Sequence, residues 1–71
     1  MDPRERALVA LSAALASGSE AEIRRALEAA REAAPAGEVE ETILQSYLFL
    51  GYPAALRGFA LWRDVAGAEA P

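Results

Sequence analysis

Residues 38–66 read Glu-Val-Glu-Glu-Thr-Ile-Leu-Gln-Ser-Tyr-Leu-Phe-Leu-Gly-Tyr-Pro-Ala-Ala-Leu-Arg-Gly-Phe-Ala-Leu-Trp-Arg-Asp-Val-Ala. Glu38, Glu40 and Glu41 place three acids where a helix dipole favours negative charge, so a helix is expected to start at Glu38 or Val39. Val39, Ile43, Leu44, Tyr47, Leu48 and Leu50 supply its expected inner face, and Phe49 extends it. Gly51 is suited to close this helix and Pro53 to open the next at its first position, with Tyr52 extended before the proline. The second helix is expected from Pro53 to about Ala66. Its expected inner residues are Leu56, Phe59, Ala60 and Val65, with Trp62 on a flank. The stretch therefore reads as two apolar helices meeting at a tight corner.

Upstream, the same logic yields two more helices. Asp2, Pro3 and Glu5 form an Asp-type capping box with proline at the first position, predicting a helix from Pro3 to Ala16. Leu8, Leu11 and Leu15 make one stripe, and Val9, Ala13 and Ala16 widen it. A helix apolar over most of its circumference is expected to be buried on more than one side. Ser17-Gly18 ends it, with Gly18 expected in the left-handed conformation. Ser19 caps the next helix with Glu22 three residues on. Ile23, Ala26, Leu27, Ala30 and Ala34 form a narrow apolar stripe opposite Arg24, Arg25, Glu28, Arg31 and Glu32. Glu20 and Arg24 are spaced for a helical ion pair, and the charged face reads as a solvated one. Pro35 limits the helix to about Ala34. Pro35-Ala36-Gly37 is a short loop that marks no domain boundary, and residues 67–71 are expected to form a frayed tail.

Composition supports an all-α class. Ala, the best helix former, occurs 18 times, and Leu, Arg and Glu rank close behind it. Four short helices in 71 residues make a single small domain whose apolar share, 54%, exceeds what a bundle of this size is expected to hide. Cys and His are absent, so disulfides and conventional zinc sites are excluded, and no cofactor or metal is expected. Self-association is the remaining common stabilising route. The net charge of −4, with Arg24-Arg25 ringed by acids, argues against nucleic acid. Ala7–Ala16 is too short to span a bilayer and its leading charges are balanced, so neither membrane nor secretion is expected and the reading is cytoplasmic.

The run Glu-Glu-Thr-Ile-Leu-Gln-Ser-Tyr-Leu-Phe-Leu-Gly-Tyr-Pro-Ala-Ala-Leu-Arg resembles the second half of the carboxymuconolactone decarboxylase/alkylhydroperoxidase-like (AhpD-like) superfamily. That half has an acidic helix start, an Ile-Leu-Gln core turn, a Gly-aromatic-Pro corner and a following helix of small residues. The upstream Ala7–Ala34 segment fits as well, so the resemblance covers nearly the whole chain. It implies an AhpD-like bundle assembled as a homo-oligomer. Redox-active relatives carry Cys-x-x-Cys-x-x-x-His at positions matching Ser19, Glu22 and Ala26 here. Without thiolate or imidazole, Ser19 is a weak nucleophile with no general base, so peroxidase and disulfide chemistry are excluded. The decarboxylase branch relies on proton-transfer groups including His, which this chain also lacks.

The remaining candidates for chemistry are Glu41, Tyr47 and Arg57. Glu41 would serve as acid or base, and a Tyr and an Arg would hold a small carboxylate or lactone. The structural readings compete with these roles. Glu38, Glu40 and Glu41 suit a helix start, Tyr47 and Tyr52 suit packing, and Arg57 is a possible partner for Glu41. Arg63 lies six residues beyond Arg57 on the same helix, and the two form an anion clamp only if that helix lines a pocket. Phe49, Tyr52, Phe59 and Trp62 are the expected interface residues. The function expected is a non-redox, non-catalytic binding or structural role through homo-oligomerisation, with a small apolar or carboxylate ligand as an option. The alternative is a lyase- or hydrolase-type enzyme using Glu41.

Overall fold

The computed structural model describes residues 1–67, with side chains for all of these except Tyr47, Tyr52, Ala54 and Ala55. The described residues form four helices and no strand: α1 (Pro3–Ser17), α2 (Glu20–Ala33), α3 (Ala36–Leu50) and α4 (Tyr52–Gly67). Most of the expected tail, residues 68–71, lies outside the described residues.

The helix starts follow local chemistry. Asp2 Oδ1 accepts from the Glu5 amide at 2.7 Å, and Glu5 Oε1 accepts from the Asp2 amide at 3.3 Å. Ser19 and Glu22 repeat this reciprocal box at the start of α2. Each box satisfies amides that a helix start leaves without internal partners. At the end of α2, Ala34 is extended (φ −138°, ψ 153°), as a residue before proline prefers.

Three junctions differ from expectation. The third helix begins at Ala36, two residues early, because the Pro35 carbonyl already accepts from the amides of Glu38 and Val39. Gly18 is extended (φ −83°) instead of left-handed, and its amide donates back to the Ala14 carbonyl. Glycine suits that position for space, since a Cβ there would lie 2.7 Å from the Ala14 carbonyl oxygen. At the corner, Gly51 alone takes the left-handed turn (φ 96°), so Tyr52 enters α4 directly and Pro53 stands one residue inside. Proline is tolerated there because amides of the first turn have no carbonyl to bond.

Consecutive helices pack as pairs, α1 with α2 and α3 with α4. The pairs meet through α1 on α3 and α2 on α4, and the diagonals α1–α4 and α2–α3 touch least. All four helices feed one core of Leu11, Leu15, Ile23, Leu27, Ala30, Val39, Ile43, Leu61, Trp62 and Val65. Gly58 is buried inside this packing. A Cβ on it would meet Leu15 Cδ2 at 2.9 Å and Ile43 Cγ2 at 3.1 Å, so α4 approaches its neighbours at a separation that only glycine permits.

The inner faces of α1, α3 and α4 are narrower than the sequence suggests. Val9, Ala13 and Ala16 are exposed, so α1 is buried on one side only, along Leu11 and Leu15, with Leu8 half-buried against the core. On α3 the inward stripe is Val39, Ile43 and Ser46. Leu44, Leu48, Phe49 and Leu50 are exposed. Ser46 is tolerated inside because its hydroxyl donates to the Ile43 carbonyl. On α4, Leu56 and Ala60 face outward, and Leu61 and Trp62 take the core instead. The expected flank position of Trp62 is thus corrected. Trp62 is 6% exposed within the single chain, part of the common core, and its Nε1 reaches Glu40 of α3.

Candidate functional site

The outer face of α3 carries a second stripe. Gly37, Glu40, Glu41, Leu44, Gln45 and Leu48 recur at helical spacing, and with Phe59 of α4 they line an open groove of about 810 Å³. Its walls are mainly apolar, from Leu44, Leu48 and Phe59. Carboxylates from the early turns of α3 stand along it. No Arg is among its lining residues.

The two adjacent carboxylates have different fates. Glu40 Oε2 accepts a 3.1 Å hydrogen bond from Nε1 of Trp62, which ties α3 to α4 and satisfies the buried indole. Glu41 is exposed, also lines a smaller neighbouring depression with Arg4 and Glu38, and has no hydrogen bond or ion pair among the described residues. Arg57 is exposed and lines neither cavity. Glu41 and Arg57 therefore form no ion pair, and the constellation of Glu41 with Arg57 is not assembled in the chain. The Tyr47 side chain lies outside the described residues.

The other acids serve the scaffold. Glu38 accepts from Arg4 across 2.7 Å, joining α3 to α1, and this bond raises the Arg4 guanidinium above its ordinary value. Arg24 bridges Glu20 at 3.6 Å and Asp64 at 3.4 Å, joining α2 to α4. These pairs are solvent-screened and add little to stability. At the end where redox relatives are expected to hold their thiols, the Ser19 hydroxyl accepts from the Glu22 amide. The Glu22 carboxyl is held below its usual range, first by the Ser19 amide and then by the Ser19 hydroxyl. That corner is a helix cap, and with neither Cys nor His in the chain it has no nucleophile–base pair.

At the end of α3, Phe49 is 84% exposed and the groove residue Leu48 75%, with Leu50 and Leu56 also open on either side of the Gly51 corner. Phe59 is half-buried against the core, and the side chain of Tyr52 lies outside the described residues. Ser46, Gly58 and Leu61 are the structural positions that sequence reasoning missed. The spacing of Ser46 from Val39 and Ile43 (i, i+4, i+7) was the available signal for the first. Among the described residues no helix is long and apolar enough to cross a membrane, and no group of three or more acids could hold a metal ion.

With this geometry in hand, comparison with protein families gives a match to the carboxymuconolactone decarboxylase family over residues 1–64. The chain belongs to that family. Neither curated proteins nor solved structures give a significant match.

Proposed function

We propose that this chain is a non-redox, non-catalytic member of its family that acts by binding copies of itself, in a structural or scaffolding role. The observation that carries the reading is the exposed apolar patch at the α3–α4 corner, formed by Leu48, Phe49, Leu50 and Leu56. Large apolar side chains left exposed together in one stretch of chain suit a partner site. None of the four residues is charged, so the patch suits a twofold contact with its own copy, which needs no opposite charge on the other side. Phe49 is the central anchor, Phe59 lies at the margin, and Tyr52 occupies the corner between them in sequence. Trp62, enclosed by its own chain, has little surface left to give to a partner.

An enzyme built on Glu41 and Arg57 has no supporting geometry among the described residues. Glu41 has no partner among the described residues and Arg57 does not line its groove. Light scattering over a micromolar concentration series tests the proposal. A mass of two or more chains is expected, and a monomer throughout overturns it.

A further inference from the structure

We propose that the groove on the outer face of α3 binds a small molecule with an apolar body and a cationic head, such as an alkylamine. The inference goes beyond self-association; the groove shares Leu48 and Phe59 with the proposed contact, and its test reads ligand binding instead of mass. At about 810 Å³ the groove falls within the range of small-molecule sites. Leu44, Leu48 and Phe59 supply its apolar wall, which would take an alkyl or aryl body.

The charges on the groove decide the head group. Glu40 is held in place by the Trp62 indole, and Glu41 lies beside it with no ion-pair or hydrogen-bond partner among the described residues. A cation at this rim meets two carboxylates, one already oriented. A carboxylate ligand meets the same two negative groups; Arg4 and Arg63 line neighbouring depressions and not the groove, and Arg4 is already paired with Glu38. Coulomb's law at a few ångströms therefore separates the two heads even at surface dielectric. The groove is matched to an amine and mismatched to the small acids that the family's name suggests.

Trp62 provides the assay. It is the chain's sole tryptophan, and its Nε1 bonds to a groove carboxylate, so its fluorescence reports events there. Octylamine and nonanoate share an octyl body and differ in head charge. Titrating each into the protein at neutral pH is expected to give a saturable change, with octylamine binding roughly tenfold more tightly, the equivalent of one modest charge contact. Glu41→Gln is expected to remove most of that preference, and Glu41→Arg to turn it toward nonanoate. Glu41 is exposed and unpaired among the described residues, so melting temperature should confirm that both variants stay folded. Equal or tighter nonanoate binding, an amine affinity unchanged in Glu41→Gln, or no saturable signal would each overturn the site. A monomeric protein in light scattering overturns only the assembly proposal and leaves this one standing.

Discussion

The indole Nε1 of Trp62 donates to Oε2 of Glu40 across 3.1 Å, so a carboxylate on an early turn of α3 fastens the core aromatic of α4. Glu40 is otherwise exposed while the indole is enclosed. The bond thus satisfies a buried donor from the protein surface. Trp62→Phe keeps most of the apolar bulk and removes the donor, with an expected loss of about 1–2 kcal/mol. Trp62→Ala should cost about 3–5 kcal/mol through the cavity it leaves. Glu40→Gln keeps an acceptor and should cost less than either. Urea unfolding followed by circular dichroism measures all three on one scale. An unperturbed Trp62→Ala variant would contradict the core position of the indole.

Gly58 and Gly37 are both helical glycines with opposite surroundings. A methyl group at Gly58 would lie 2.9 Å from Leu15 Cδ2 and 3.1 Å from Ile43 Cγ2, both on buried residues. Overpacking of this kind costs about 1–3 kcal/mol, against about 1 kcal/mol gained from alanine's helix preference. Gly58→Ala is expected to lose about 1 kcal/mol net. At Gly37 an added Cβ meets nothing within 4 Å. Gly37→Ala should therefore gain about 0.5 kcal/mol by restricting the unfolded chain. Thermal melts of the two variants should move in opposite directions.

The cap of α2 carries a pH dependence of known sign. Glu22 has its carboxyl pKa lowered in the folded state by the Ser19 amide and hydroxyl. The unfolded chain therefore binds more protons over that range, and stability rises with pH there. The contribution is complete above the unfolded glutamate value of about 4.3 and is lost as pH falls through the lower folded value. Glu22→Gln keeps an acceptor without the titration. Below about pH 4.3 its stability should fall less steeply than that of the native chain. Parallel slopes in acid urea titrations would show that the cap does not carry this linkage.

Phe49 separates assembly from folding. Its side chain is 84% exposed, so Phe49→Glu should change the stability of the single chain by no more than about 0.5 kcal/mol. The same change places a charge at the centre of the proposed contact and should lower the scattering mass to that of one chain. A native mass in the variant would remove Phe49 from the interface. Leu27→Ala is the reverse case. Leu27 is fully buried, and its loss should cost about 2–5 kcal/mol whatever the mass.

Much of the fold was legible locally. Both capping boxes, the Gly51 corner and the stripe of α2 follow from spacing alone, because each is settled by residues within one or two turns. The candidate site was less legible. The three acids of residues 38–41 look alike as a helix start, yet Glu38 meets Arg4, Glu40 meets Trp62 and Glu41 meets neither. Their partners lie 34 residues away in one case and 22 in the other, and no local pattern encodes such pairings.

The sequence by itself determined four helices, two of their capping boxes, the glycine turn at Gly51 and the family, since backbone preference and short-range hydrogen bonding act within a few residues. Only the tertiary structure decided which side of α3 turned inward. Ile43 and Leu44 are neighbours about 100° apart around the helix, and either could have led an apolar face. The close seat that Gly58 offers to Ile43 accompanies the choice of the Val39–Ile43–Ser46 side. Leu44 and Leu48 were left outside, where they line the groove. The physical reason is that a helix with apolar residues on two faces has no internal preference between them, so packing with the other three helices makes the selection.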